Sequence, residues 1–240
     1  MRELTTEQAT AAFWDSHPCD GQVSYAARAV VRARKHPWLT GELARIAERH
    51  THIVEIGCGQ ATDCFSICSQ MSAGGSYIAF DRSPGSIRSA QSSLPGASLR
   101  VVPTFLVGDA MQLPFAEGSV ECIYSMGVFH HASDTGRGVE ELHRVMRTAG
   151  VAHVALYRSS AIKVAAALLL RRIQSATGLS FLPVAALLGE NTGLGTMLHE
   201  CFGVPILRAY SRREIEILFS SFSAVEIEQR KEFWLVRAVK

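Results

Sequence analysis

The sequence predicts an α/β protein built on a parallel, doubly wound sheet, and three observations lead to this prediction. Between residues 51 and 157, short apolar runs typical of strands alternate with amphipathic segments typical of helices. The first apolar run ends in a tight glycine turn, Gly57-Cys58-Gly59, and the second ends in the acidic Asp81. Right-handed crossovers between successive strands would place helices on both faces of such a sheet.

The chain before the first strand predicts a helical cap. Three helices are expected there, from about residue 5 to 16, from 24 to 35 and from 40 to 50. Thr5 or Thr6 can cap the first helix, which runs through Phe13 and Trp14. The second helix carries the basic cluster 28–35, which we expect to form a solvated face.

The glycine turn favours a cationic ligand over a dinucleotide. A dinucleotide fingerprint needs a third glycine near position 62, but this position is Thr62. Glu55 lies two residues before Gly57, where a carboxylate would repel a pyrophosphate. Glu55 and Asp63 give the turn acidic surroundings that suit a positively charged molecule.

Later segments follow the turn in an order that builds a nucleotide-sized pocket at the carboxyl edge of the sheet. They are a strand over 76–81, a loop over 107–115, a strand and loop over 120–131, a helix over 138–150 and a strand over 151–157. Asp81 lies 24 residues beyond Gly57, close to the distance of about 20 at which an acid binds a ribose hydroxyl pair. Asp81 or Ser83 can also cap the next helix, and both roles are compatible.

Taken together, these segments resemble the class I S-adenosylmethionine (SAM) methyltransferase superfamily, in its small-molecule type 11 branch. The resemblance is strong over about 50–157 and weak over 211–240. It implies a Rossmann-like sheet of seven strands with the last strand antiparallel, closed by a helix over 214–222 and strands over 224–230 and 232–239. The turn before the fifth strand departs from the usual Lys-Pro-Gly-Gly and reads Arg147-Thr148-Ala149-Gly150, which we expect to be a surface turn.

The resemblance also implies SAM as the cofactor and assigns residues to its parts. Glu55 and the backbone of Gly57 and Gly59 would hold the amino-acid end, Asp81 the ribose, Asp109 with Ala110 the adenine, and Ser125 with Met126 the methionine moiety. Cys58, Asp63 and Arg82 complete the expected cofactor-binding set.

The acceptor side of the site is expected around the loop after the fourth strand. His131, then His130, are the candidates for a general base, with Tyr157 at the end of the fifth strand as another. In the alternative interpretation, both histidines fix the loop or bind SAM. Phe13, Trp14 and His17 are expected to cover the site, although Phe13 and Trp14 can equally be core packing.

Residues 158–210 form an unusually long insertion after the fifth strand. We interpret it as a helical lid over the acceptor site, which would separate a core at 51–157 from its closing unit at 211–240. Its apolar runs, 161–170 and 181–188, favour an apolar or bulky acceptor. Two other interpretations remain open, a homodimer surface and a helix at 158–190 lying on a membrane interface.

Composition limits the remaining choices. With 48% hydrophobic residues and a net charge of +2, the chain is globular and gives no reason to expect nucleic acid binding. Met1–Thr10 is polar and no apolar stretch reaches the length of a membrane span, so a cytoplasmic location is the default expectation. The six cysteines are expected to be reduced, and their spacing predicts no metal site.

Three alternative functions are kept. Cys19 and Cys201 would serve as soft ligands in a metalloid or thiol methyltransferase. A non-catalytic protein that senses SAM or S-adenosylhomocysteine would keep the glycine turn but close the acceptor pocket. A dehydrogenase agrees with the fold but not with Glu55 and Thr62.

Overall fold

The computed structural model describes residues 5–16, 24–178 and 203–240, which form a seven-stranded sheet with helices on both faces. The strands are β1 (His52–Ile56), β2 (Ser76–Asp81), β3 (Thr104–Val107), β4 (Val120–Met126), β5 (Met146–Tyr157), β6 (Ala224–Arg230) and β7 (Phe233–Val239). They lie in the order β3-β2-β1-β4-β5-β7-β6, and only β7 runs antiparallel to its neighbours. The predicted fold class, with its antiparallel last strand, is confirmed.

The described helices are α1 (Thr6–Ser16), α2 (Tyr25–Lys35), α3 (Leu39–Arg49), α4 (Thr62–Cys68), α5 (Pro84–Ser93), α6 (Thr135–Val145), α7 (Ile162–Thr177) and α8 (Arg212–Leu218). One core cluster packs α3, α4 and α5 against the sheet, and the second packs α6 and α8 against the opposite face. Successive strand residues therefore alternate between two buried faces, and β1 is buried from Ile53 to Ile56, as parallel strands covered on both faces usually are. Every second residue of a strand therefore points its side chain to the same face of the sheet.

Helix starts follow the capping chemistry of the sequence. Ser24 accepts a hydrogen bond from the Ala27 amide (3.3 Å) at the start of α2, and Ser83 caps α5 with Pro84 at its first position. The structure thus assigns the α5 cap to Ser83 rather than to Asp81. At α8, Ser211 forms a capping box with Glu214, so that this helix begins earlier than predicted.

The predicted helix over 138–150 is displaced in the structure. Asp134 caps α6 by accepting a hydrogen bond from the Arg137 amide (3.0 Å), so the helix occupies Thr135–Val145. Met146 already pairs with Val120, and β5 begins there. The segment predicted as a surface turn therefore belongs to β5, where Ala149 has a left-handed backbone with φ of 57°.

Two of the four basic residues of α2, Arg28 and Arg32, do not belong to the solvated face that we expected, whereas Arg34 is exposed. Arg28 is fully buried and donates hydrogen bonds to the Gln60 carbonyl and the Ser93 hydroxyl, both at 3.0 Å. Arg32 forms an ion pair with Asp63. A guanidinium with several donors can satisfy buried acceptors in this way, and α2 is thereby fastened to the glycine turn, α4 and α5.

Two parts of the predicted insertion over 158–210 are described, residues 158–178, which contain the helix α7, and residues 203–210. This helix buries Val164 and Ala167 but leaves Ile162 (87%) and Leu169 (58%) exposed. The second apolar run, 181–188, lies outside the described residues, so the lid, dimer and membrane-interface interpretations stay predictions. Within the described ranges, no helix has both the length and the hydropathy needed to cross a membrane.

The four described cysteines agree with the expectation of reduced thiols. Cys58, Cys64, Cys68 and Cys122 are free and buried. Cys64 and Cys68 lie on α4 and both belong to the core that packs on the sheet. Cys19 and Cys201 lie outside the described residues.

Candidate active site

A cleft opens where the carboxyl ends of β1, β2 and β4 meet, and α1 covers one side of it. It contains about 940 Å³ of empty space when its open mouth is included. The glycine turn, the end of β2, the loop after β3 and the loop after β4 all contribute to its wall. This is the edge at which open α/β sheets bind their ligands.

The glycine turn is shaped by positive backbone angles. Gly57 has φ of 78° and Gly59 has φ of 51°, a region that favours glycine. A Cβ on Gly57 would clash with Val128, whereas one on Gly59 would stand in open space at the wall of the cleft. Gly59 thus lets a ligand approach the backbone closely.

Ala61 completes this turn and was not predicted, because the third glycine of a dinucleotide fingerprint would stand near position 62 instead. Ala61 has φ of 64°, a left-handed conformation, and stands at the start of α4. The available signal was the spacing Gly57, Gly59, Ala61, in which every second residue takes a positive φ.

Asp81 lies at the wall of the cleft beside the glycine turn. Its carboxylate accepts hydrogen bonds from the amides of Gly59 and Ser83, both at 2.8 Å. The pKa of Asp81 is nevertheless raised, because burial outweighs the hydrogen bonds that the backbone of Ser83, Gly59 and Arg82 gives to the carboxylate. A carboxylate has about four acceptor positions, so Asp81 can still accept a hydrogen bond from a hydroxyl group of a ligand.

The loop after β3 forms the opposite wall. Asp109, Ala110 and Met111 all line the cleft, and Asp109 accepts a hydrogen bond from the Met111 amide at 3.0 Å. Arg82, which also lines the cleft, lies 3.9 Å from the Asp109 carboxylate. A Cβ on Gly108 would clash with the Phe80 ring, which explains the glycine at this position.

Glu55 and Asp63, two predicted cofactor ligands, face away from the cleft. Ile56 lines the cleft, and Glu55 enters the opposite face of the sheet because neighbouring strand residues alternate. Glu55 accepts a hydrogen bond from the Tyr77 hydroxyl at 2.9 Å. Burial, reinforced by the charge of Asp63, raises the pKa of Glu55 to about 8. The assignment of Glu55 to direct ligand contact is therefore corrected to a supporting position beneath the turn.

Asp63 is held in the same buried layer. It binds the guanidinium of Arg32, with the Nε–Oδ1 distance at 3.0 Å, and accepts a hydrogen bond from the Tyr124 hydroxyl at 2.8 Å. These partners use the acidic charge that the sequence analysis assigned to a cationic ligand. Asp63 is corrected to a residue that fastens α2 to α4.

Of the other predicted cofactor residues, Met126 lines the cleft, whereas Cys58 and Ser125 do not. The Ser125 hydroxyl donates to the Ile56 carbonyl at 3.0 Å and so links β4 to β1. Cys58 is buried, and its amide donates to the Phe80 carbonyl at 3.0 Å. Both residues shape the turn from behind.

The two histidines after β4 have different surroundings. His131 lines the cleft, and its Nδ1 lies 2.8 Å from the Ile206 carbonyl oxygen. His130 does not line it; its ring is stacked on Tyr157 with centroids 3.8 Å apart, and Tyr157 stacks in turn on Phe233. Burial lowers the pKa of His131 to about 4 and that of His130 well below its ordinary value. Only His131 is placed to meet a ligand in the cleft.

Helix α1 covers the cleft with Trp14, whose ring meets that of His131 at a centroid distance of 5.1 Å. Asp15 fastens the helix to the start of α5, since its carboxylate accepts hydrogen bonds from the Ser83 hydroxyl (2.6 Å) and the Gly85 amide (2.7 Å). Phe13 lies outside the lining and packs against Trp14. His17 lies outside the described residues.

Several lining residues were not predicted. They are Thr10, Ala11, Ile56, Gln60, Phe80, Ser83, Ser86, Gly108, Met111, Gly127, Val128 and Ala132. Most of these residues are adjacent in the sequence to a predicted residue, so they could have been predicted by extending each motif by one or two positions. Thr10 and Ala11 carry no such signal, because their position depends on how α1 packs on the cleft.

The cleft fits the cofactor that the resemblance implies. Gly59 leaves open space where a side chain would stand, and Asp81 can accept a hydrogen bond from a ribose hydroxyl. Phe80, Met126 and Val128 supply an apolar wall. Two carboxylates and one guanidinium give the cleft a net negative lining, which suits a cation.

Comparisons with known proteins agree with this geometry. Residues 54–154 match a family described as a methyltransferase domain (Methyltransf_11). The chain is 29% identical over 99 residues to the demethylmenaquinone methyltransferase of Desulfitobacterium hafniense (strain Y51), a match covering 41% of this chain and 39% of that protein. The chain spans about two fifths or less of the length of the curated relatives that it matches here.

Solved structures share the fold along nearly the whole chain. One is a methyltransferase in complex with the Trm112 methyltransferase activator of Haloferax volcanii, with a TM-score of 0.61, 17% identity and 96% of each chain covered. Another is a SAM-dependent methyltransferase of Thermotoga maritima, with a TM-score of 0.61, 14% identity, and 96% of this chain and 99% of that chain covered. Fold and family match together show that residues 54–154 form a class I methyltransferase domain of the type 11 branch, whose cofactor is SAM.

Proposed function

We propose that this protein transfers a methyl group from SAM to a small, apolar or bulky acceptor that binds beside the cofactor in the cleft. The observation that carries the proposal is that the glycine turn, Asp81 and Asp109 share one cleft with Trp14 and His131. Bound SAM would supply an electrophilic methyl group on a sulfonium centre. The chain contributes by positioning, and holding two reactants as a near-attack pair can lower a barrier by about 7–11 kcal/mol.

The cofactor would be oriented by groups along the wall of the cleft. Asp81 would accept a hydrogen bond from a ribose hydroxyl, and Asp109 with Ala110 would hold the adenine. The backbone at Gly59 would approach the amino-acid end, and the Trp14 ring would cover the sulfonium in a cation–π contact. Glu55 supports the turn from the buried layer and makes no contact in this proposal.

His131 would accept a hydrogen bond from the acceptor group. Its Nδ1 must carry the hydrogen, because the Ile206 carbonyl can only accept, so Nε2 keeps its lone pair. With a pKa lowered to about 4, the ring is neutral at pH 7 and is a weak base. We therefore assign it the role of accepting a hydrogen bond from an acceptor O–H or N–H and aligning that group, and the proton passes to solvent once the methyl group has been transferred. His130 and Tyr157, stacked behind it, position the loop.

The acceptor is proposed to be apolar because of the surfaces around His131. Trp14, Val128 and Ala132 line this part of the cleft. The name of one relative, demethylmenaquinone methyltransferase, agrees with an apolar acceptor. Helix α7, which exposes Ile162 and Leu169, would add further apolar surface if it closes over the site as a lid.

The proposal is tested by calorimetric titration of the purified protein with SAM and with S-adenosylhomocysteine. We expect both to bind one per chain with a dissociation constant on the order of micromolar. Asp81→Ala and Asp109→Ala should weaken binding at least tenfold, whereas the exposed Glu216→Gln serves as control and should bind like the wild type. Absence of SAM binding to the wild type, or tight binding of a nicotinamide dinucleotide instead, would reject the proposal.

The other enzyme and binding hypotheses remain predictions with their own tests. A metalloid or thiol acceptor bound by Cys19 and Cys201 requires that Cys19→Ser and Cys201→Ser abolish methyl transfer. A sensor would bind SAM and S-adenosylhomocysteine but turn over no acceptor in a broad screen of apolar phenols, amines and thiols.

A further inference from the structure

Three side chains that the cleft does not use converge at the opposite edge of the sheet. His50 stands between α3 and β1, Cys122 lies near the start of β4, and His153 lies in β5. Cys122 pairs with Val151 and Tyr124 pairs with His153, so both potential ligands on the strands share one face. One ligand atom from each of the three residues lies within 4.8 Å of the other two.

Each histidine in this cluster is oriented by a carboxylate. His153 Nδ1 lies 3.4 Å from a Glu42 carboxylate oxygen, and His50 Nδ1 lies 3.7 Å from a Glu121 carboxylate oxygen. Histidines that bind metals usually give their other ring nitrogen to a carboxylate or carbonyl in this way, which fixes the ring and its tautomer. The pairing leaves Nε2 of each ring available for a ligand.

An unsatisfied atom points to a missing partner. His153 is only 6% exposed, and its Nε2 has no hydrogen-bond partner among the described residues. A buried polar atom without a partner is destabilising, and proteins rarely retain one without a reason. Coordination to a cation would satisfy it.

The donor set selects the kind of cation. Two imidazole nitrogens and one thiolate suit zinc, whereas calcium and magnesium prefer oxygen ligands. Zinc lies about 2.0–2.3 Å from nitrogen and sulfur ligands, so the three atoms would have to close by roughly an ångström. Because the His50 side chain is partly exposed at the end of α3, it can move and also provides the entry path.

The surrounding charges can accommodate the ion. Glu42 forms an ion pair with Arg45, and Glu121 lies 3.3 Å from Arg147. These arginines hold the two carboxylates in place beside the histidines. The two carboxylates and one thiolate thus face a divalent cation and two guanidinium groups, so that no large net charge is left in the cluster.

We propose that His50, Cys122 and His153 bind one zinc ion, with water in the fourth position. Formation of the zinc–sulfur bond releases the Cys122 thiol proton to solvent. The ion ties α3 to β4 and β5 at the edge opposite the cleft, where it has a structural role. No sequence motif signals this site, since its ligands come from three separate segments of the fold.

The test uses the chelator-treated full chain, titrated with Zn²⁺ and with Co²⁺ as a spectroscopic probe. We expect one ion per chain and a cobalt spectrum with a thiolate charge-transfer band and tetrahedral d–d bands. Cys122→Ala should remove the charge-transfer band, and His153→Gln should weaken binding at least about tenfold. Cys68→Ala, at another buried free cysteine, is the matched control and should keep both properties.

Two further variants keep the result interpretable. The double variant Cys19→Ser/Cys201→Ser should still bind the ion, because its cysteines are not part of the cluster. Circular dichroism shows whether Cys122→Ala folds. If it does not fold, His50→Gln, at the partly exposed end of α3, replaces it as the test and must weaken zinc binding at least about tenfold, as expected for His153→Gln. The proposal is overturned if the wild type binds no ion, if the charge-transfer band survives in a folded Cys122→Ala variant, or if the double variant loses it.

Discussion

At the scale of single residues, Ala149 shows how a local backbone requirement leads to a prediction. The residue is exposed in β5, has φ of 57°, and donates its amide to the Lys240 carbonyl at 2.9 Å. The left-handed region costs a non-glycine residue about 1–2 kcal/mol, while glycine costs about 0.5–1 kcal/mol in chain entropy. Ala149→Gly should therefore raise the free energy of unfolding by about 0.5–1 kcal/mol, measured by urea denaturation.

The control for this prediction is Gly118, which also has a positive φ (66°) and open space around its missing Cβ. Gly118→Ala introduces the strain that Ala149→Gly removes, so it should lower the free energy of unfolding by about 1 kcal/mol. If both substitutions changed the free energy of unfolding equally and in the same direction, the left-handed backbone would not be the cause of the change.

His131 leads to a prediction about the rate of methyl transfer. If it aligns the acceptor through Nε2, His131→Ala should lower kcat by about 100-fold or more, with SAM affinity changed less than threefold. Because its pKa is lowered to about 4, the rate should not fall between pH 8 and pH 5 through protonation of this ring. A large loss of SAM affinity without a loss of kcat would instead assign His131 to cofactor binding.

The position of a residue within its strand explains why the site of Asp81 was predictable from the sequence and that of Glu55 was not. Asp81 ends its strand, so its position at the cleft follows from the turn that comes after it. Glu55 lies inside its strand, and the sequence alone does not tell which face of a doubly covered sheet it enters. Arg28 and Arg32, which lie in helix α2, were misjudged for another reason, because their partners come from segments that are distant in the sequence.

At the scale of elements, α1 is the piece whose placement depends most on distant contacts. Its helical nature was readable from the Thr5 cap, which accepts a hydrogen bond from the Gln8 amide at 3.2 Å. Its position over the cleft depends on Asp15 contacting Ser83 and Gly85, and on Phe13, whose ring occupies the space beside Gly203. Such pairings between remote segments have no local signature.

The contacts of Asp15 predict how α1 controls release of the cofactor. Asp15→Ala removes two hydrogen bonds at the start of α5 and should increase the dissociation rate of SAM several-fold, since each is worth about 1 kcal/mol at an exposed site. Asp15→Asn keeps an acceptor oxygen and should recover part of the loss. Stopped-flow tryptophan fluorescence would measure these rates. An unchanged rate in Asp15→Ala would show that α1 does not restrain the bound cofactor.

At the scale of the whole molecule, the succession of strands and helices along the chain and the sheet edge that forms the cleft were predictable, because periodicity and turn chemistry repeat along the chain. The two buried layers were not, since each is assembled from side chains that are distant in sequence. These layers contain ionisable groups with shifted pKa values. Stability as a function of pH therefore reports on the molecule as a unit.

Buried histidines determine how the free energy of unfolding changes with pH below about 6.5. Burial lowers the pKa of His36 to about 3 and that of His131 to about 4, and His130 is lowered well below its ordinary value. The unfolded chain binds these protons near pH 6.5 while the folded protein does not, so stability is lost as pH falls below about 6.5. Each histidine contributes up to about 1.4 kcal/mol per pH unit.

Glu55 sets the opposite slope above this pH. Its pKa is raised to about 8, so the folded protein keeps a proton that the unfolded chain has already released, and stability declines as pH rises toward 8. The decline from pH 6.5 to 8 should amount to about 1–2 kcal/mol. The free energy of unfolding of the ligand-free protein should thus be greatest near pH 6.5, measured by urea denaturation between pH 5 and pH 8.5.

Glu55→Gln separates the two slopes. Glutamine keeps an oxygen to accept the Tyr77 hydroxyl but cannot ionise against Asp63, so the variant should lose the decline between pH 6.5 and 8 and keep the acidic limb. The exposed Glu226→Gln is the matched control and should retain both limbs. If Glu55→Gln declines like the wild type, the buried carboxyl is ionised at pH 7 and Arg32 must neutralise both acids of the layer. If the free energy of unfolding is greatest near pH 6.5 in the wild type and in Glu226→Gln but not in Glu55→Gln, then ionisation of Glu55, beneath the glycine turn, causes the loss of stability above pH 6.5.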